Sequence, residues 1–228
     1  MKTIVILFCS VLFFNTLSAQ KTKFITVKAG TRVEDCIPFQ ERYRYPDFRD
    51  GKVYFNNGAF SEARLNYNLL MREMEYLHSK DTLALTNKSD IRLITIANDT
   101  FFYDKGYFEL IFNAKVKVAL KQSITLKQVM KQDTYGYAGS NSATDSYSAL
   151  EADGKTYKLV QNQDRIFQKK SEFYLATAVS GFVPFSKKKV MQLFPKHKGM
   201  IETYLKSNKI DFNSRKDILR FAEFLGKL

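Results

Sequence analysis

Short apolar runs, separated by turn-forming residues, dominate the chain between residues 24 and 177. Turn formers recur at close intervals, for example at 56–58, 98–99 and 104–106. Asn, Asp and Gly favour tight turns because they tolerate left-handed backbone or bond to their own backbone. Strands at this spacing predict an antiparallel meander. The predicted strands lie near residues 24–28, 53–55, 83–85, 91–96, 101–103, 107–112, 116–130, 156–160 and 172–177.

Residues 63–77 fit two structural periods at once, so the pattern there leaves two alternatives. Glu, Arg, Met and Leu in this stretch favour a helix, whereas the predicted strands on both sides favour a strand. We predict a strand and keep the helix as the alternative. The helical set is Ala63, Tyr67, Leu70, Met74 and Leu77, and the alternating set is Leu65, Tyr67, Leu69 and Met71.

After Pro184 the apolar residues repeat at the spacing of helices. Ser186 is a candidate N-cap, and Pro195 either interrupts the first helix or opens the second. A third helix is expected to begin near Ser214 and to stop at Gly226. The predicted buried residues are Val190 and Phe194, then Met200 or Ile201 with Tyr204 and Leu205, then Ile218, Phe221, Ala222 and Leu225. The pattern therefore predicts an α+β fold: an antiparallel β-rich meander body with a C-terminal helical unit of two to three short helices.

The first residues have the layout of a secretory signal peptide. Lys2 precedes an apolar run over residues 4–14, and small residues end at Ala19. Such a run is too short to cross a bilayer, and no later stretch is long enough, so no transmembrane segment is expected in the mature chain. We predict a cleaved signal peptide over 1–19, a β-rich domain over 20–180 with a flexible Gly, Ser and Tyr loop at 133–152, and a helical unit over 181–228 packed on that body.

Cysteine use and charge indicate the compartment and the class of partner. Cleavage after Ala19 would leave Cys36 as the only thiol, and an exported domain without paired cysteines favours a bacterial periplasmic or secreted protein. The formal net charge of +13 favours contact with anionic partners, although a solvated basic surface also explains it. The expected partners are another envelope protein or an anionic glycan or lipid surface, and no nucleic acid is expected.

Few residues in the chain suit catalysis. The two histidines, His78 and His197, have no metal-binding spacing, and we expect no metal site and no cofactor. A Cys36 nucleophile paired with a histidine is the weaker alternative to a structural cysteine. Ser186 to Lys189 fit the Ser-x-x-Lys motif of penicillin-binding proteins, but the accompanying motifs are missing, and a helix cap explains the serine better. Glu73 and Glu75 would share one face of a strand, as an acid and base pair requires.

Two segments have the composition of binding loops, and both have a structural alternative. The cationic and aromatic side chains of Arg42, Tyr43, Arg44 and Tyr45 interleave, as they do where bases or sugars stack. The alternative is that the tyrosines pin a long loop onto the sheet.

The second segment is the loop at 133–152, whose tyrosines could provide contact area with few torsions to freeze. Its alternative is a flexible connector. Its candidate contact residues are Tyr135, Tyr137 and Tyr147.

The sequence thus leaves three hypotheses. The first is an exported bacterial envelope protein that acts as a non-catalytic binding or accessory protein. The second is a periplasmic hydrolase that uses carboxylates on glycans, and the third is a polyanion-binding protein.

Overall fold

A computed structural model describes residues 24–132, 138–141, 164–178 and 180–228. Their fold is α+β, with a large antiparallel sheet followed by a C-terminal helical unit, as predicted from the sequence. The strands are β1 (Phe24–Val27), β2 (Arg49–Phe55), β3 (Phe60–Asn68), β4 (Glu73–His78), β5 (Asp81–Ala84), β6 (Ile91–Ile96), β7 (Asp99–Tyr103), β8 (Tyr107–Asn113), β9 (Lys117–Gln132), β10 (Ala138–Asn141), β11 (Asp164–Ala176) and β12 (Val183–Pro184). The helices are α1 (Val33–Cys36), α2 (Phe39–Arg42), α3 (Lys187–Leu193), α4 (Lys198–Asn208) and α5 (Arg215–Leu225), with single 3₁₀ turns at Lys88–Asp90 and Pro195–His197.

The strands follow one another in the order β1-β11-β9-β8-β7-β6-β2-β3-β4-β5, while β10 pairs with β9 and β12 with β11. The sheet curls strongly, because the end of β3 meets β9 from across the sheet. The amide of Ile124 donates to the carbonyl of Leu69 at 2.8 Å, and the hydroxyl of Tyr67 donates to the carbonyl of Gln122 at 3.1 Å. This contact closes the sheet around a buried interior.

The ambiguous stretch at 63–77 forms strands, as predicted, but a turn divides it between β3 and β4. Asn68 forms that turn: its Oδ1 accepts from the amides of Leu70 and Met71 at 3.1 and 3.0 Å. Arg72 then takes a left-handed conformation, with φ of 57°. The sequence pattern did not predict this turn because the apolar residues after Asn68, at positions 69–71, continue the pattern of a strand or a helix.

Two apolar clusters hold the described part of the molecule together. The first fills the curl of the sheet, and its fully buried members include Val27, Leu65, Leu69, Met74, Ile94, Ile96 and Ile124. The second lies between the helical unit and strands β9 and β11. Its buried members include Val118, Leu175, Val190, Ile201, Ile218, Phe221 and Ala222.

The helical unit begins and ends where local chemistry predicts. Ser186 accepts from the amide of Lys189 at the start of α3, and Ser214 accepts from the amide of Asp217 at the start of α5. Helix α5 ends at Gly226, whose amide donates to the carbonyl of Ala222. In the described part of the chain, no helix has both the length and the apolar character that crossing a bilayer requires.

Candidate functional site

The predicted binding segment at Arg42–Tyr45 is built into the sheet edge beside β3. The amide of Arg44 donates to the carbonyl of Tyr67 at 2.9 Å, and the amide of Leu69 donates to the carbonyl of Arg42 at 2.7 Å. These bonds extend the pairing of β2 with β3 along the chain. Backbone hydrogen bonds therefore attach the segment to β3 without any contribution from side chains.

Asn66 bridges the irregular part of this pairing. Its Oδ1 accepts from the amide of Tyr45 at 3.1 Å, and its Nδ2 donates to the carbonyls of Tyr45 and Asp47 at 2.9 and 3.0 Å. The side chain is fully buried, so it satisfies backbone groups that water cannot reach.

Tyr43 reaches a buried carboxylate on β4. Its hydroxyl donates to Oε2 of Glu75 at 2.6 Å, while Nδ2 of Asn68 donates to Oε1 at 2.9 Å. Burial raises the pKa of Glu75 above its ordinary value, and the two hydrogen bonds oppose that shift. Burial and the neighbouring carboxylate raise the pKa of Tyr43. The two oxygens of Glu75 are thus engaged by protein donors.

Arg44 and Tyr45 reach two further carboxylates. The Arg44 guanidinium holds Glu109 with two bonds, from Nε at 2.6 Å and Nη2 at 3.0 Å, and Glu109 is 3% exposed. The Tyr45 hydroxyl donates to Asp99 at 2.6 Å. The guanidiniums of Arg44 and Arg49 lie 5.0 and 4.9 Å from the centroid of the Tyr45 ring.

The structure thus brings Arg42, Tyr43, Arg44 and Tyr45 together, with both tyrosines buried and their hydroxyls bonded to carboxylates. Nη1 of Arg42 donates to the carbonyl of Glu34 at 2.8 Å. This placement matches the structural alternative, in which the segment is pinned to the sheet. Ligand binding by these four residues stays a prediction. The other candidates, Tyr135, Tyr137 and Tyr147, lie outside the described residues.

The remaining chemical candidates are dispersed. Glu73 forms an ion pair with Lys88 at 2.6 Å, so its carboxylate and that of Glu75 have separate partners. The Cys36 thiol donates to the Thr31 hydroxyl at 3.2 Å. Within the described ranges, no three His, Cys, Asp or Glu side chains cluster so as to hold a metal ion.

A shallow groove lies on the helical unit. One face of α4 and Phe224 of α5 border this depression, which has a volume of about 520 Å³ and is widely open to solvent. Tyr204 and Phe224 stack with their centroids 4.0 Å apart, and Met200 is 56% exposed. The lining residues are Gly199, Met200, Thr203, Tyr204, Ser207, Asn208 and Phe224.

Arg220 lies beside one end of the groove, and its Nη2 also forms an ion pair with Oδ1 of Asp217 at 3.2 Å. Nη2 of Arg220 donates to the carbonyl of Asn208, a lining residue, at 3.1 Å. Residues 181–228 contain eleven Lys and Arg against four Asp and Glu, so this fifth of the chain carries +7 of the net charge of +13. The helical unit as a whole therefore attracts an anionic partner.

The sequence pattern allowed either Met200 or Ile201 in the buried face of α4, and the structure buries Ile201 and exposes Met200. Residues one apart on a helix differ by about 100° in direction, so only one of them faces the core. The sequence feature that indicates the groove is therefore Met200, an apolar residue that the core does not bury. No family model matches the sequence, and searches of curated proteins and of solved structures find no match either.

Proposed function

We propose that this protein is a non-catalytic binding protein of the bacterial envelope, and that it docks an acidic segment of another protein in the groove between α4 and α5. The observation that carries the proposal is the exposed Met200 beside the stacked pair Tyr204 and Phe224, on a unit with a net charge of +7. The signal-peptide layout of residues 1–19 and the single thiol that would remain after cleavage, Cys36, support the envelope location.

The groove suits a helix or extended segment with one apolar and one acidic side. Apolar atoms of the partner would cover Met200 and Phe224, which gives the affinity that buried apolar area provides. Acidic groups of the partner would be drawn by the net charge of +7 on residues 181–228, which mainly sets orientation and association rate. Thr203, Ser207 and Asn208 offer polar groups along the same groove.

Binding of a synthetic acidic amphipathic peptide, measured by isothermal titration calorimetry, tests the proposal. We expect binding that weakens at high salt and that falls at least tenfold in Met200→Glu, because that change places a like charge in the groove. Leu83→Glu is the matched control, since Leu83 is also an exposed apolar residue but lies on β5. Equal affinity in Met200→Glu and the native protein, or no binding at about 1 mM peptide, would overturn the proposal.

A further inference from the structure

A second surface, on the outer face of β2, β3 and β6, exposes aromatic rings next to cations. Phe60 is 55% exposed, and its ring centroid lies 6.1 Å from that of Tyr54, its cross-strand partner. The Arg92 guanidinium lies 5.9 Å from the Tyr54 ring, and Nζ of Lys52 lies 5.2 Å from the Phe60 ring. These residues make an open platform far in sequence from the helical unit.

The two cations differ in their availability. Lys52 forms an exposed ion pair with Glu62 at 2.7 Å, so a carboxylate of the protein already lies beside its charge. Arg92 is exposed, and within the described residues no carboxylate lies at ion-pair distance from it. Arg92 therefore presents a guanidinium that can bind one carboxylate through two parallel hydrogen bonds.

From this arrangement we infer that the outer face of β2, β3 and β6 binds an anionic glycan that carries uronic acid carboxylates. The electron-rich faces of aromatic rings attract the polarised C–H groups of a sugar ring, so the exposed ring of Phe60 provides the stacking surface, with Tyr54 beside it. Arg92 provides the contact for the carboxylate. This site is separate from the groove between α4 and α5, and it goes beyond the proposed function.

The charge pattern favours a glycan over a single-stranded nucleic acid. Proteins that bind single strands line a groove with several cations that follow the phosphates, because each nucleotide carries a charge. This face carries three cations: Lys52 is held by Glu62, the Arg64 guanidinium donates to the carbonyl of Phe48, and Arg92 has no hydrogen bond or ion pair to another described residue. A sugar that stacks on Phe60 and carries one carboxylate therefore matches the single unoccupied guanidinium of Arg92 beside the two rings.

Isothermal titration calorimetry of the full chain with an oligogalacturonate tests the inference. We expect binding whose dissociation constant rises at least tenfold in Phe60→Ala and in Arg92→Gln. Leu83→Ala, which removes exposed apolar area from β5, should leave the affinity unchanged. Circular dichroism and urea unfolding of each variant show whether the fold is intact.

Three outcomes would overturn the inference. The first is native affinity in both Phe60→Ala and Arg92→Gln. The second is no detectable binding of the oligogalacturonate by the native chain. The third is tighter binding of an oligothymidylate that Phe60→Ala and Arg92→Gln weaken in parallel, which would assign the face to nucleic acid.

Discussion

The Tyr43 hydroxyl donates a 2.6 Å hydrogen bond to Oε2 of Glu75, which joins the segment before β2 to strand β4. The bond is buried and spans 32 residues of sequence. With Asn68 on the other oxygen, it places a carboxylate inside the protein with both oxygens satisfied. This contact shows how a segment that has the composition of a binding loop is used to close the fold.

Tyr43→Phe should destabilise the protein by about 1–3 kcal/mol, because it leaves one oxygen of a buried carboxylate without its donor. Urea unfolding followed by circular dichroism measures the change. Tyr54→Phe is the matched control on the outer face of the sheet, and we expect a change within about 0.5 kcal/mol there. An equal, small effect in both variants would show that the Tyr43 bond does not stabilise the fold.

Glu75 should make stability depend on pH in a direction opposite to that of most carboxylates. Its pKa in the folded state is raised by burial, so the folded chain holds the proton more tightly than the unfolded chain, whose Glu pKa is near 4.5. The free energy of unfolding contributed by Glu75 therefore increases as the pH falls through the raised pKa towards 4.5. Above that window the contribution is constant and unfavourable.

Comparison with Glu75→Gln isolates this contribution, because the amide cannot titrate. The native protein should gain stability relative to Glu75→Gln as the pH is lowered from 7 to about 4.5. Glu62→Gln is the control for the loss of one charge at an exposed position. A difference between the native protein and Glu75→Gln that stays flat, or that changes in the opposite direction, would contradict the assigned burial of Glu75.

The Arg44 and Glu109 pair should respond differently to single and double replacement. Arg44→Met alone leaves the Glu109 carboxylate buried without a cation, which should cost about 3–5 kcal/mol. Arg44→Met combined with Glu109→Leu removes both charges and should recover most of that loss. Urea unfolding of both variants measures the difference, and a double variant no more stable than Arg44→Met would show that the pair is required for reasons other than charge compensation.

Local chemistry explains why so much of the fold could be predicted. Strand turns and the caps Ser186 and Ser214 act within a few residues, so the sequence displays them directly. The contacts that position the segment at Arg42–Tyr45 join residues far apart in the chain, so the sequence does not display them. Arg44 and Glu109 are 65 residues apart, and their pairing depends on the curl of the sheet.

The groove could not be predicted from the sequence for a related reason. Met200 and Ile201 are adjacent apolar residues, and the helical period alone does not say which of them faces the second core. The packing of α4 against α5 decides it, because Tyr204 stacks on both Phe221 and Phe224. Met200 is then left exposed and marks the groove.

Processing of the N-terminus tests the proposed envelope location. Mass spectrometry of the protein recovered from an exporting bacterial cell should find Gln20, with or without cyclisation, as the first residue. Lys2→Glu, which removes the positive charge ahead of the apolar run, should reduce the exported fraction. A mature protein that retains Met1, or one that carries a lipid on Cys9, would contradict the signal peptide.

The central claim, that the helical unit docks a partner, is tested most directly by amide chemical-shift mapping of the full chain with the acidic amphipathic peptide. We predict that the peptide moves the signals of residues 199–208 and Phe224, and that these changes are lost in Met200→Glu. Shifts confined to residues 133–152, or to Arg42–Tyr45, would contradict the claim and place the binding surface elsewhere.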